Sequence, residues 1–173
     1  MFKSRLTNSE TNNFCKIHNI LIPKRTKRFE TYDIVYSQSK SPKKIYTITE
    51  SILDKSIKIL NQNNLTNYDS SFYSIEFHQR NCGFEKKPYQ WSRWHRDDYS
   101  SVYFNVYTII FYIRKDKTVK NGNLDYQIGE TKFTHIIKEG DILCFTGNIL
   151  HKPQSTSGFG CRDIIICFIK RID

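Results

Sequence analysis

Trp94-His95-Arg96-Asp97, joined further along the chain by Asn148-Ile149-Leu150-His151 and by Gly160-Cys161-Arg162, decides how this sequence is read. On a β-strand, side chains two apart point to the same face, so His95 and Asp97 are expected to present an imidazole and a carboxylate side by side. His151, arriving from a distant strand, completes a two-histidine, one-carboxylate set. Such a set occupies one face of an octahedral iron and leaves the other face open. Arg162 stands at the head of an apolar run, where a planar guanidinium can grip a carboxylate of an organic co-substrate with two parallel hydrogen bonds.

Outward from these residues the pattern is that of strands. Phe72 to His78 alternates and stops at Asn81-Cys82-Gly83, and Tyr89 to Asp97 carries the first two site residues. Tyr103 to Ile113 is nearly continuous in aromatic and aliphatic residues and reads as a strand buried on both faces. Arg114 to Asn123 is a polar turn, after which Leu124–Ile128, Lys132–Ile137, Ile142–Thr146 and Asp163–Ile169 each read as a strand. About eight short strands after one helix predict an antiparallel sandwich or jelly roll.

The helix is expected from Thr47 to Asn63. Ile52, Leu53, Ile57 and Leu60 recur at helical spacing, Thr49 is a candidate cap, and Asn61-Gln62-Asn63-Asn64 ends it. Ser51, Asp54, Lys55 and Lys58 fill the other positions, so the helix should lie with one face on a sheet. Residues 1–46 mix short apolar pieces with turn residues, Asp33 to Tyr36 being a candidate strand. The expected organisation is one domain over 1–173, with 1–68 a helical and irregular support that includes a possible substrate region, and 69–173 the β core.

With 38% hydrophobic and 14% aromatic residues, the chain has enough apolar surface for a folded core, which excludes a disordered protein. A net charge of +10 admits an anionic partner such as nucleic acid. The richness in Lys, Asn, Ile and Tyr, however, also fits the codon bias of an AT-rich genome. The excess gathers in Pro23-Lys24-Arg25-Thr26-Lys27-Arg28 and Ser41-Pro42-Lys43-Lys44. Five cysteines without a C-x-x-C pair argue for reduced thiols and no disulfide scaffold. The first ten residues lack a signal-peptide core, and no stretch is long and apolar enough to span a membrane. The expected setting is intracellular and cytoplasmic, in the host cytoplasm for a viral chain, without a membrane partner.

Each motif has an ordinary competitor. His18 and His135 read as surface or strand residues, and His78 as a strand residue turned into the barrel. Asp98 should point away from Asp97. Tyr112 could be only a core aromatic, and Arg162 could be held by a salt bridge to Asp141, Asp163 or another carboxylate. A His-x-Asp alone recurs by chance; its meaning comes from the buried strand that follows, the second histidine and the Gly-x-Arg.

The segment from about Phe72 to Ile169 resembles the double-stranded β-helix, a jelly roll of cupin-like type, of the 2-oxoglutarate and Fe(II)-dependent oxygenases, in particular their prolyl-hydroxylase-like branch. The likeness runs through Ile110-Phe111-Tyr112-Ile113-Arg114-Lys115-Asp116, Asn121-Gly122-Asn123-Leu124, Gly140-Asp141-Ile142-Leu143-Cys144-Phe145, His151 and Gly160-Cys161-Arg162. It implies that His95, Asp97 and His151 ligate Fe(II), that Arg162 pairs with the far carboxylate of 2-oxoglutarate, and that Tyr112 hydrogen-bonds it. The implied activity is a dioxygenase: O2 and 2-oxoglutarate are consumed, ascorbate is a candidate accessory reductant, and a C–H bond is hydroxylated, by preference on a protein or peptide side chain. Trp94, Tyr103 and Tyr107 would shield the pocket. The branch usually has Gly-Gly where this chain has Gly122-Asn123. The nucleic-acid-demethylating branch has a second arginine six residues after the first, where this chain has Phe168. Nucleic-acid modification and a cupin-like metal protein independent of 2-oxoglutarate stand as the alternatives.

Overall fold

The computed structural model describes residues 1–21, 32–37, 43–82, 92–99 and 105–172. Its main sheet has six strands: β1 (Phe2–Arg5), β2 (Tyr32–Ser37), β3 (Tyr68–Cys82), β4 (Val106–Lys115), β8 (Asp141–Thr146) and β11 (Gly160–Arg171). They run antiparallel in the order β1-β8-β4-β11-β3-β2. A second sheet, in the order β7-β6-β9, is built from β6 (Leu124–Ile128), β7 (Thr131–His135) and β9 (Leu150–Pro153). The short strands β5 (Val119–Asn121) and β10 (Thr156–Gly158) pair with each other.

Alternation along the central strands divides the main sheet into two apolar faces. Ile109, Phe111, Ile113, Cys144, Ile165 and Cys167 point to one side, where helices α1 (Asn8–Leu21) and α2 (Lys43–Gln62) cover them. Ile110, Tyr112, Leu143, Phe145 and Ile164 point to the other side and meet Leu124 and Ile137. A strand clad on both faces has no polar period, which is why β4 reads as an unbroken apolar run. The mainly antiparallel β architecture agrees with the predicted jelly roll.

Helix α1 was not anticipated. Its start is a capping box: the Glu10 backbone N–H donates to Thr7 Oγ1 at 3.2 Å, and the Thr7 N–H donates to Glu10 Oε2 at 2.8 Å. Phe14 and Ile17 on its buried face meet the sheet, with the Phe14 ring edge-on to Phe111 at 5.3 Å. His18 is also on that face and only 1% exposed, so its reading as a surface or strand residue is corrected. Its Nε2 donates to the His78 carbonyl at 3.1 Å, and Asp163 lies beside its Nδ1.

Helix α2 begins at Lys43, so Thr49 is an interior, buried residue and not a cap. Nothing in Lys43 to Thr47 breaks a helix, and propensity carries it back beyond the expected start. The far end falls as predicted: Asn64 takes φ 57°, and the Leu65 N–H reaches back to the Leu60 carbonyl at 2.9 Å, a Schellman closure. Lys55 Nζ joins the two helices through Glu10 Oε1 at 2.7 Å. The basic run from Pro23 to Arg28 and the aromatic Tyr103 lie outside the described residues, as does most of the strand expected from Tyr89. Cys15, Cys144, Cys161 and Cys167 are free thiols.

Candidate metal and co-substrate site

His95 and Asp97 do not share a regular strand. His95 forms an isolated antiparallel bridge with His151, and Asp97 opens a 3-10 turn, Asp97–Tyr99. The convergence survives because the backbone is held on both sides. His95 and His151 exchange N–H···O=C bonds of 2.8 and 2.9 Å, and the N–H groups of Asp97 and Asp98 both point at the Gly147 carbonyl. Asp98 turns away as expected, and its Oδ1 accepts from the Val106 N–H at 3.1 Å.

The three side chains meet. His95 Nε2 is 3.9 Å and His151 Nε2 3.7 Å from Asp97 Oδ1, and the three potential ligand atoms lie within 4.8 Å of one another. Each of the two Nε2–Oδ1 separations is shorter than two metal–ligand bonds laid end to end, about 4.2 Å. Both imidazoles are set in the same tautomer. His95 Nδ1 is 2.8 Å from the Arg93 carbonyl, and His151 Nδ1 is 3.0 Å from the Ile149 carbonyl. A carbonyl only accepts, so each Nδ1 carries the hydrogen and each Nε2 keeps its lone pair for the shared point. Burial pushes the His151 pKa down, against the pull of Asp97, and so keeps the ring in its neutral, ligating form. Two imidazoles that turn Nε2 to a shared point and one carboxylate fit a first-row divalent ion such as Fe(II).

Thr108, which the sequence reading passed over, steadies the carboxylate: its Oγ1 donates to Asp97 Oδ2 at 2.6 Å and leaves Oδ1 for the ion. The signal was present, since Thr108 is the one non-aromatic polar residue in the run Val106 to Ile113. Gly147 was missed as well. A Cβ there would sit 2.1 Å from Asp98 Oδ1 and 2.9 Å from Val106 Cγ2, so a larger residue must displace the Asp98 carboxylate.

Arg162 and Tyr112 lie further along the same face. Tyr112 pairs in register with Ile164, two residues from Arg162, and a bulge between Asp163 and Ile164 adjusts the register beyond. Arg162 is 5% exposed, and its Nη1 donates to the Gly122 carbonyl at 2.6 Å. The carboxylates offered as its alternative partners are engaged elsewhere. Asp141 faces His135 at 3.1 Å and accepts from the Lys138 N–H, while Asp163 points to the helix side with His18 and Arg114. Burial pushes the Tyr112 hydroxyl well above its usual range, so it remains a hydrogen-bond donor.

Two of the proposed shielding aromatics are placed elsewhere. Tyr107 belongs to the helix-side core, because alternation gives the inner position to Thr108. Trp94 lies under the ammonium groups of Lys132 and Lys152, which come from the outer positions of the second sheet. Among the described residues, Phe145 is a ring beside the site, 5.1 Å from His151.

No protein-family model and no curated protein matches the sequence. Solved structures do match the fold. An oxidoreductase of the 2OG-Fe(II) oxygenase family from Burkholderia pseudomallei superposes with a TM-score of 0.71 at 10% identity, over 98% of this chain and 84% of its own. This is the fold of the 2-oxoglutarate and Fe(II)-dependent oxygenases. The viral collagen prolyl hydroxylase of Paramecium Bursaria Chlorella virus-1, in a 2OG complex, gives 0.64 at 16% identity, over 100% and 97%. The Trichoplax adhaerens prolyl hydroxylase, in complex with a hypoxia inducible factor peptide fragment, gives 0.64 at 12%, over 98% and 83%. The prolyl-hydroxylase-like resemblance carried by the sequence motifs thus has its counterpart in the fold.

Proposed function

We propose that this chain is a 2-oxoglutarate- and Fe(II)-dependent dioxygenase that hydroxylates a C–H bond of a protein or peptide side chain. The observation that carries the reading is the convergence of His95 Nε2, His151 Nε2 and an Asp97 oxygen on one point, on the sheet face that also holds buried Arg162 and Tyr112. His95, Asp97 and His151 would hold Fe(II). When bound, the iron supplies activation of O2 coupled to oxidative decarboxylation of 2-oxoglutarate to succinate and carbon dioxide.

The chain's own residues do the positioning. Arg162 neutralises the far carboxylate of 2-oxoglutarate, Tyr112 donates to it, and the Gly122 carbonyl aims the guanidinium. Phe145, Ile110, Leu143 and Ile164 exclude water from the space between. A cupin-like protein independent of 2-oxoglutarate would have no use for a buried arginine in this place. The collagen and hypoxia-factor enzymes among the structural neighbours support a protein or peptide substrate. Nothing comparable supports nucleic acid, and the position six residues beyond Arg162 is the buried Phe168.

The test is succinate formation from 2-oxoglutarate by the iron-loaded protein against peptide pools, with mass spectrometry of the peptides. One added oxygen per product, lost in His151→Ala, is the expected result. Absence of 2-oxoglutarate turnover with every pool overturns the oxygenase reading, whereas turnover stimulated by oligonucleotides alone overturns the substrate class.

A further inference from the structure

On the peptide-hydroxylase reading above, we infer that Tyr126 and Phe133 form a substrate-binding wall beside the metal ligands. Tyr126 hydrogen-bonds the peptide backbone, and Phe133 seats an apolar side chain close to the residue that is oxidised.

Tyr126 on β6 is the register partner of His151 on β9 and of Phe133 on β7, so the three residues form one row across the second sheet. Cross-strand partners project to the same face. Contacts with the main sheet show which face it is. The His151 ring lies 5.1 Å from Phe145, and His135, two residues along β7 from Phe133, faces Asp141 at 3.1 Å. Leu124, two residues before Tyr126, is buried with Leu143 and Ile164. Side chains two apart on a strand share a face, so Tyr126 and Phe133 stand on the inner side of the sandwich, next to a candidate metal ligand. The row lies at the level of the ligands and not at the level of Tyr112. Phe145 is the register partner of Thr108, four residues from Tyr112 on β4 and so about 13 Å from it along the strand.

Tyr126 is 8% exposed, yet its hydroxyl has no hydrogen-bond partner among the described residues. A phenol buried to that depth is ordinarily matched. Its ring stacks on Phe133 at 5.2 Å with 18° between the planes, which leaves Phe133 as the outer layer, 42% exposed. Ile128, on the same face two residues beyond Tyr126, is 46% exposed. This inner face is thus apolar, open at one end, continuous with the metal ligands, and carries one unmatched hydroxyl. A peptide answers each of these features: a backbone carbonyl accepts from Tyr126 Oη, and an apolar side chain covers Phe133 and Ile128. Two strand spacings, about 9.6 Å, separate His151 from Phe133, and that is the rise of about three residues of an extended chain. The apolar side chain therefore belongs within about three residues of the oxidised one.

The experiment uses a randomised library of end-blocked peptides in two ways. The anaerobic full chain loaded with Mn(II) and 2-oxoglutarate selects peptides by affinity, and the Fe(II)-loaded chain oxidises the same library in air, both read by mass spectrometry. Wild type should retain and oxidise peptides enriched in apolar or aromatic residues within about three positions of the oxidised one. Phe133→Ala should lose that enrichment. Tyr126→Phe, which keeps the stacked ring, should keep the enrichment and bind the selected peptides about fivefold to tenfold more weakly. Both variants should bind 2-oxoglutarate as wild type does in calorimetry. Enrichment that is absent from wild type or survives Phe133→Ala overturns this inference alone, as does unchanged peptide affinity in Tyr126→Phe. Loss of 2-oxoglutarate binding in step with peptide binding also overturns it, because the two rings would then serve the co-substrate or the fold. Failure of wild type to oxidise any peptide overturns the substrate class proposed above and this inference with it.

Discussion

Thr108 donates its hydroxyl to Asp97 Oδ2 at 2.6 Å from a strand on which every neighbouring residue is buried. The bond fixes which carboxylate oxygen faces the two histidines. Thr108→Val keeps the shape and removes the donor. Metal affinity, measured by titration of the chelator-treated protein, should fall by about 10- to 100-fold. Unfolding free energy should fall by only about 1 kcal/mol. An unchanged affinity would show that the hydroxyl has no hold on the carboxylate.

Gly147→Ala should damage the site without touching a ligand. The new methyl group would meet Asp98 Oδ1 and Val106, at 2.1 and 2.9 Å, and would push the 3-10 turn off the Gly147 carbonyl. Thermal denaturation should register about 1–3 kcal/mol of overpacking, and metal titration should show weaker binding because Asp97 moves with the turn.

Asp116 ties the ends of β4 and β11. It accepts from Arg114 Nε at 2.9 Å and Nη2 at 3.2 Å, and from the Cys161 N–H at 2.8 Å. The Arg114 hydrogen bonds outweigh burial and hold the Asp116 pKa below its ordinary 3.8. A carboxylate whose pKa is lower folded than unfolded stabilises the fold above 3.8 and loses that contribution as pH falls through the folded value. Asp116→Asn should therefore cost about 1 kcal/mol at neutral pH, the pair being partly exposed. The gap to wild type in chemical denaturation should close as pH drops below 3.8. A gap that stays constant through acid would mean that the charge plays no part.

Metal loading should stabilise the fold by mass action. An excess of about a hundredfold over the dissociation constant is worth about 2.7 kcal/mol, read as a rise in Tm under anaerobic conditions with Fe(II) or Mn(II). His95→Ala and His151→Ala should each abolish most of that rise. If the rise persisted in both, the ion would be bound elsewhere.

Much of this was legible in the residues. Strands β3, β4, β6, β7, β8 and β11 follow from alternation and apolar runs, and the three residues that converge as potential metal ligands follow from their motifs. What escaped depended on tertiary placement. The His-x-Asp pair converges through a bridge and a 3-10 turn, not through strand parity, and that was invisible because the supporting carbonyl, Gly147, is remote in sequence. Trp94 and Tyr107 were read as aromatics lining the pocket, but strand alternation sends Tyr107 to the helix-side core and Trp94 lies under Lys132 and Lys152. Helix α1 did announce itself, through Thr7-x-x-Glu10, but its apolar stripe is short and mixed with polar residues such as Thr11 and His18.

β11 lends one side of itself to the site, through Arg162 and Ile164, and the other to the core under the helices, through Asp163, Ile165 and Cys167. A residue inserted between Arg162 and Ile164 would turn one part of the strand over relative to the other. Arginine would then be set against helix packing, or isoleucine against the pocket. Such a strand has no neutral length variants. The turn at Gly129, where an added Cβ meets nothing within 4 Å, has room for them. Over evolutionary time, and in any library built on this scaffold, gains and losses of residues should accumulate between β6 and β7 while β11 keeps its count.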